Sequence, residues 1–300
     1  MNFVLKGLQP AAQIRVAVII ATKARPHALA ELLRLLERQS QPPAVVVISA
    51  TGAADVDLPL ATALNIECIF GPPGLTAQRN KGLVQIDGRA DVAVFFDDDF
   101  APAENWLEQC AGLFNLEPDI AGANGIVVRD GIKGEPISWQ EAALLIASHG
   151  QEPLVVSRIP DLYGCNMAFR MSAIDEIQFD ERLVLYGWLE DKDFSRKAAK
   201  NGGLVQCNSL IGVHLGLQAG RVSGKRYGYS QVVNAWYLYR KGSLSLREAS
   251  VNILKALIAN AAKSIGKQGH IDRRGRLRGN LVGVGHLLSG ACRPESAAQL

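Results

Sequence analysis

Residues Asp91–Phe100 read DVAVFFDDDF, and the rest of the chain is organised around them. Val92 to Phe96 are five consecutive apolar residues, rich in β-branched and aromatic types and free of charge. That pattern fits a strand buried on both faces in a parallel sheet. It stops on three adjacent carboxylates, Asp97, Asp98 and Asp99. Neighbouring negative charges repel one another and gain nothing from burial without a cation to neutralise them. The carboxyl end of a buried parallel strand is also where open α/β sheets place ligands. A divalent cation, Mn2+ or Mg2+, carrying a phosphate-bearing ligand meets both conditions, because carboxylate oxygens suit these ions. The plainer alternative is a solvated acidic turn after a core strand, although turns seldom need three acids in succession.

Three hundred residues, 48% of them hydrophobic, form one large or two modest globular domains. The net charge of +3 conceals an asymmetry. From Arg221 onward, 14 Lys and Arg face only Glu248, Asp272 and Glu295, a net of +11. The first 220 residues carry 18 bases and 26 acids, a net of −8. An acidic body with a basic tail predicts that the tail meets an anionic surface. The five cysteines are odd in number and widely spaced, which fits free thiols in a reducing compartment, and no CxxC pair suggests zinc. The first fifteen residues lack the apolar core of a signal peptide, and no run of eighteen apolar residues exists. The expectation is a cytoplasmic protein, peripheral on the cytoplasmic face of a membrane, with no nucleic-acid partner.

On the N-terminal side, residues 15–21 (RVAVIIA) read as a first buried strand and Ala44 to Ser49 as a second. Between them, His27 to Ser40 repeats Leu29, Leu32, Leu33 and Leu36 at helical spacing after Pro26. This β-α-β unit implies a right-handed crossover and a parallel sheet. Ile66 to Phe70 is a third strand, and a helix near Thr76 carries Arg79, Asn80 and Lys81, bases that could hold phosphate at a helix start. Past the acidic strand come a helix over Glu104 to Asn115, a strand over Ile120 to Val128, and an irregular excursion at 129–160. Tyr163 to Arg170 then precedes a short helix; Gly164 and Asn166 fit close backbone approach to a ligand, or simply a tight turn.

A second acidic cluster lies in FDERLVLYGWLEDKDFSRKAAK, Phe179 to Lys200. Glu190, Asp191 and Asp193 gather at a helix start, where the macrodipole alone suffices to explain negative charge. His214 ends the short apolar strand Leu210 to His214. A single histidine there is more often a core residue, but two acidic clusters already call for a cation. Val232, Val233, Trp236 and Tyr237 form one C-terminal helical stripe, and Ser245 to Glu248 is a capping box opening another with Ala249, Ile253, Leu257 and Ile258. Lys263 to Arg278, with six bases and one acid, reads as a flexible basic segment. Tyr227, Tyr229, Trp236, Tyr237 and Tyr239 beside Arg240 and Lys241 suit a headgroup interface, or packing on the body.

Together these segments resemble the inverting family 2 glycosyltransferases over about residues 15–220, with four motifs in family order. Ala21 to Arg25 is similar to the first-strand nucleotide turn, Gly74 to Gly82 to the Arg-Asn-x-Gly segment, Phe96 to Asp99 to the DxD element, and Phe179 to Arg196 to the Glu-Asp stretch. The resemblance implies a GT-A fold, an α/β architecture with a mostly parallel central sheet flanked by helices. It divides the chain into a catalytic domain at 1–220 (a nucleotide half at about 15–100, an acceptor half at about 101–220) and a basic helical extension at 221–300. It implies a nucleotide-diphosphate sugar donor and a glycan or lipid-linked acceptor, with transfer of one hexosyl unit in bacterial surface or exopolysaccharide biosynthesis. Thr22, Arg25, Arg79, Asp97 and Asp98 would meet the nucleotide, Asp99 and His214 the metal, and Asn166 and Trp188 a sugar. Asp191 would be the general base and Glu190 would position the acceptor. The sequence departs from the family after the second strand, where Ser49-Ala50-Thr51-Gly52 lacks the usual acid and Asp55 follows later. The processive synthases' Gln-x-x-Arg-Trp pattern is also absent. A nucleotidyltransferase and a non-catalytic membrane-surface scaffold are the competing readings.

Overall fold

The computed structural model describes residues 14–56, 62–150, 153–220, 222–265 and 271–300. In chain order the elements are β1 (Val16–Thr22), α1 (Pro26–Glu37), β2 (Val45–Ala50), β3 (Ile66–Phe70), α2 (Leu75–Ile86), β4 (Val92–Asp97), β5 (Phe100–Pro102) and α3 (Trp106–Leu116). They continue as β6 (Ile120–Asp130), α4 (Trp139–Ser148), β7 (Val156–Arg158), β8 (Asn166–Arg170), α5 (Met171–Ile174), α6 (Glu190–Ala198) and β9 (Gly203–His214). Three helices close the chain: α7 (Gly224–Lys241), α8 (Leu246–Ser264) and α9 (Arg273–Leu288).

One nine-stranded sheet runs β3-β2-β1-β4-β8-β6-β9-β5, with β7 beside β9. From β3 to β4 every pairing is parallel, as the β-α-β pattern requires. Beyond β4 the sheet is mixed: β8 runs antiparallel to β4 and β6, and β9 is parallel to β6 but antiparallel to β5 and β7. Apolar runs report burial and not strand direction, so this half of the sheet is not parallel in the way the N-terminal half is. Strand β4 is buried on both faces. Phe95 meets Phe169, Phe179 and Phe194 on one side, and Phe96 packs on Phe100 and Trp106 on the other. Burying each such ring contributes about 2–3 kcal/mol. Alternate residues of β1 divide likewise, Val16, Val18 and Ile20 towards α1 and α3, Ala17 and Ile19 towards α2 and α6.

Three local expectations are corrected. The excursion at 129–160 contains α4, whose N-cap Ser138 accepts from the Glu141 amide; only Ala142 of that helix is fully buried, so it carries little periodic signal. Tyr163 to Arg170 is not just a turn, because Asn166–Arg170 is the strand inserted between β4 and β6. The basic segment expected to be flexible becomes helical from Arg273, while its residues 266–270, including Lys267, lie outside the described residues. Gly275, Gly279 and Gly283 recur every four residues along this helix. In the fold they let α9 approach α7 closely: a Cβ at Gly279 would collide with the Lys225 carbonyl, and one at Gly228 with the Arg276 carbonyl. Gln231, Asn260 and Asn280 join the three helices through buried side-chain amides.

This C-terminal layer packs on the body. Leu183 and Leu189 share a cluster with Ala235, Leu238 and Leu244. Lys241 bridges Asp180 and Asp193 at 2.6 and 2.8 Å, and Arg196 bridges Asp161 and Glu248 at 2.8 and 2.6 Å. Of the aromatic belt read as a headgroup interface or as packing on the body, Tyr229 and Tyr237 pack inward, while Trp236 and Tyr239 are half-buried against each other. Tyr229 is buried with its hydroxyl on His286 and the Arg293 carbonyl, and Tyr237 donates to Asp180. All five cysteines are unpaired. Among the described residues no helix is long and apolar enough to cross a membrane.

Candidate active site

The strand order turns back at β1, which lies between β2 and β4, and Ala21 stands in register with Asp97 at the carboxyl ends of β1 and β4. Such a switch point opens a crevice. Here it is a cleft of about 510 Å³ lined in part by Thr22, Arg25, Gln78, Asp97, Asp98, Asp99, Trp188 and His214.

The three acids of the turn take three directions. Asp98 is turned back into the fold, where its carboxylate accepts from the Thr22 hydroxyl at 2.8 Å and from Arg25 at 2.7 Å. Arg25 also donates to the carbonyls of Leu217 and Ala219, so Asp98 ties the loop after β1 to the loop after β9. Burial raises the Asp98 pKa against the pull of Arg25. Asp97 accepts from Arg79 at 3.0 Å on one oxygen and points the other towards the His214 Nε2, 3.8 Å away. Asp99 lies 3.3 Å from that same Nε2 and accepts from the Leu217 amide. Burial alone would raise Asp99, but the hydrogen bond and charge of His214 and the nearby Arg25 hold it below the usual carboxylate range.

His214 is placed by the ladder: Asp130 of β6 and Phe100 of β5 are its register partners. Its Nδ1 meets Asp130 at 3.1 Å, leaving Nε2 facing Asp97 and Asp99. Burial disfavours its charge, but Asp130, Asp99 and Asp97 outweigh that and raise its pKa to about 10. Imidazole ligates a metal in its neutral form, so an ion at Nε2 would take the place of the proton that these acids favour. Ligand atoms of Asp97, Asp99 and His214 lie within 4.8 Å of one another. Two carboxylates and one imidazole oriented by a further carboxylate are a donor set that fits a divalent ion such as Mn2+.

The second cluster separates as well. Arg79 is buried behind Asp97 instead of on the cleft wall. It donates to Glu190 at 2.6 Å, to Asp97 and to the Gly164 carbonyl, and lies over the rings of Phe95 and Phe179. Glu190 is buried, its second oxygen has no hydrogen-bond partner among the described residues, and burial raises its pKa to about 8 despite Arg79. Asp191 is half-buried and held by the amides of Gly164 and Lys192. Its pKa is raised by burial, against those two amides and Arg79. Asp191 opens onto an adjoining hollow of about 340 Å³, lined also by Asn124, Asp161, Lys192 and Gln206; Tyr163 belongs to both hollow and cleft. Asp193 turns away altogether to Lys197 and Lys241. The tight entry to α6 needs Gly187 at φ 69°, where a Cβ would lie 2.9 Å from the Glu190 Cγ. Among the described residues the non-glycine residues with positive φ, Ala24, Leu185 and Leu189, all flank the cleft, a strain of about 1–3 kcal/mol each.

Trp188 lines the cleft, and its indole N–H has no partner among the described residues. Asn166 does not reach the cleft: it is fully buried and its side-chain oxygen accepts from Asn124. Asp55 is committed to the amides of Ala24 and Thr51 and shapes the loop after β1. Sequence reasoning missed Gln78, whose amide bonds the carbonyls of Thr22 and Ser49 and joins the ends of β1 and β2. It missed Asp130, which the carboxyl end of an adjacent strand could have flagged, and Tyr163, whose hydroxyl donates to Asp130. It also missed Tyr186, Tyr227 and Arg276. The Tyr227 ring contacts Tyr186 and Trp188 and carries the Arg276 guanidinium at 4.1 Å, so the C-terminal layer supplies one wall of the cleft.

The family model for Glycosyl transferase family 2 matches residues 17–178. No curated protein matches the sequence significantly. Among solved structures, S. aureus TarS superposes with a TM-score of 0.50 at 16% identity, over 85% of this chain and 44% of that one. This chain therefore spans less than half the length of TarS. TarS 1-349 in complex with UDP-GlcNAc gives 0.46 at 17% identity, covering 84% and 74% of the two chains. Mannosyltransferase PcManGT from Pyrobaculum calidifontis, in complex with GDP-Man and Mn2+, gives 0.48 at 14% identity, covering 94% and 88%. The likeness to TarS is one of fold.

Proposed function

This chain belongs to glycosyl transferase family 2, and on that premise we propose that it moves a single hexosyl unit from a nucleoside-diphosphate sugar to a hydroxyl of a glycan or lipid-linked acceptor, with inversion at the anomeric carbon. The setting would be bacterial surface or exopolysaccharide biosynthesis at the cytoplasmic face of a membrane. The observation that carries the reading is the convergence of Asp97, Asp99 and His214 in a cleft at the sheet's switch point. A cleft of about 510 Å³ has room for a sugar nucleotide.

Asp97, Asp99 and His214 would hold a divalent cation, which when bound neutralises charge developing on the leaving diphosphate. Asp98 fixes Thr22 and Arg25 on the nucleotide side of the cleft. Asp191 takes the proton of the attacking hydroxyl, a role suited by a carboxylate raised above its ordinary pKa. The two amides on Asp191 fix its orientation, and Arg79 holds Glu190 and Asp97 in one frame behind the reacting groups. The acceptor hydroxyl enters by way of the hollow beside Tyr163, whose polar lining of Asp161, Lys192 and Gln206 suits a hydroxyl-rich sugar. The rings of Tyr186, Trp188 and Tyr227 offer stacking faces. Single transfer is favoured because the processive synthases' Gln-x-x-Arg-Trp pattern is absent.

The test is release of nucleoside diphosphate from a panel of UDP-, GDP- and dTDP-sugars with Mn2+ and candidate acceptors. One donor turned over by wild type and not by Asp191→Asn supports the reading. No turnover of any donor, with instead a nucleotide transferred to a sugar phosphate, would replace it by the nucleotidyltransferase.

A further inference from the structure

We propose that the outward face of α8 and α9 docks this protein on an anionic membrane surface. Helix α8 has its polarity inverted. It turns Ala249, Ala256 and Asn260 inward and Val251, Leu254, Ile258 and Ile265 outward, the last three 57%, 59% and 85% exposed. The outward positions follow one another by three, four and seven residues, which places them on a single stripe. The inward face is small and polar because α8 approaches α7 and α9 through the Gln231–Asn260–Asn280 amides. Helix α9 repeats the pattern, with Gly275, Gly279 and Gly283 inside and Leu281 and Leu288 outside. Large aliphatic side chains are thus exposed along the outward sides of two consecutive helices, while Ile253 and Val282 pack inward.

Charge selects the occupant. Arg247 and Lys255 on α8 and Arg274 and Arg278 on α9 are exposed alongside those aliphatic residues. Among the described residues neither outward face carries an Asp or Glu: Glu248 is turned to Arg196, and Asp272 caps α9. A second copy of the same basic face would be repelled, whereas anionic headgroups over an acyl boundary match both the bases and the aliphatic stripe. The surface is distinct from Tyr229 and Tyr237 of α7, which are committed to the body. Helix α9 also ties the surface to the cleft, because Arg276 lines the cleft while Arg278 lies outside. A helix is about 10 Å thick, so a lipid-linked acceptor held in the docked bilayer would need to present its sugar over only that depth. That last step rests on the proposed transferase function; the docking itself does not.

The test is co-sedimentation of the full chain with vesicles of phosphatidylcholine alone and of equimolar phosphatidylcholine and phosphatidylglycerol. Wild type is expected with the anionic vesicles and in the supernatant with the neutral ones. Leu254→Glu with Ile258→Glu should lower partitioning about tenfold or more, and Lys255→Gln and Arg278→Gln about fivefold each. Rising salt should weaken binding throughout. These positions are exposed, so unchanged thermal unfolding serves as the folding control. Donor stabilisation measured without vesicles reports on the transferase reading separately. Wild type remaining in the supernatant with anionic vesicles, or the Leu254/Ile258 variant sedimenting like wild type, overturns the proposal. So does a concentration-dependent dimer that this variant abolishes in the absence of any lipid binding, which assigns the face to a second copy.

Discussion

The turn at 97–99 and the helix start at 190–193 present the same signal, three acids within four residues, and the fold treats them differently. In the turn every carboxylate lines the cleft: Arg79 holds Asp97, Thr22 and Arg25 hold Asp98, and His214 lies between Asp97 and Asp99. At the helix start only Asp191 remains beside a hollow, while Glu190 is drawn under the floor by Arg79 and Asp193 is spent on Lys197 and Lys241. The turn sits in a bend whose residues point in diverging directions from one spot. The helix start distributes its side chains around an axis, about 100° apart, so consecutive acids cannot share one site. Adjacency in sequence marks a region, and backbone geometry decides which acids act together.

The largest effect that could break this comparison is at Asp99. Asp99→Asn removes a carboxylate whose atoms are within reach of both His214 and the Leu217 amide, and transfer should fall to background while circular dichroism stays unchanged. An active Asp99→Asn enzyme would place the turn on the same footing as an ordinary acidic loop. Next is Asp191→Asn, expected to bind donor normally and lose kcat by about two to four orders of magnitude, as for removal of a general base. A change confined to KM would reduce Asp191 to a binding residue.

Asp193→Asn sharpens the contrast in the opposite direction. Its carboxylate is fully buried between Lys197 and Lys241, so the variant should lose about 2–4 kcal/mol in chemical denaturation. The kcat of the remaining folded enzyme should be unchanged; a catalytic defect without a stability loss would mean that all three acids of the helix start act at the site.

The smallest expected effect is at Glu248, which joins the C-terminal layer to Arg196. The Arg196 hydrogen bond holds its carboxyl down at about 2, from an ordinary 4.5. A depressed folded pKa contributes stability that is present above pH 4.5 and lost as pH falls through about 2. Glu248→Gln should therefore cost no more than about 1 kcal/mol near neutrality, because the pair is partly exposed. Its unfolding curve should converge with wild type towards pH 2. A difference that persists undiminished there would mean that shape and not charge makes the contact.

These differences also show what the sequence could disclose. The parallel half was legible because Val16 to Ile20, Val45 to Ile48 and Val92 to Phe96 are apolar runs separated by one clear helical repeat. The grouping of Asp97, Asp99 and His214 was legible for a related reason, since Asp97 and His214 end apolar strands and Asp99 follows in the turn after the first. The mixed half was not, because Asn166 to Arg170 is short and begins on a polar residue whose burial depends on Asn124, 42 positions away. The glycines of α9 were illegible as packing: spacing by four is the same for a loose segment and for a helix pressed on its neighbour. Tyr227 and Arg276 reach the cleft only through that packing, so no local pattern could have placed them there.

The most direct measurement is thermal unfolding with a panel of nucleoside-diphosphate sugars, each in Mn2+ and in EDTA, for wild type and Asp99→Asn. Asp97, Asp99 and His214 acting as one cation site requires that at least one donor raise the melting temperature of wild type in Mn2+. The shift should disappear in EDTA and be absent in Asp99→Asn. Equal stabilisation in EDTA, or a full Mn2+-dependent shift in Asp99→Asn, would contradict it.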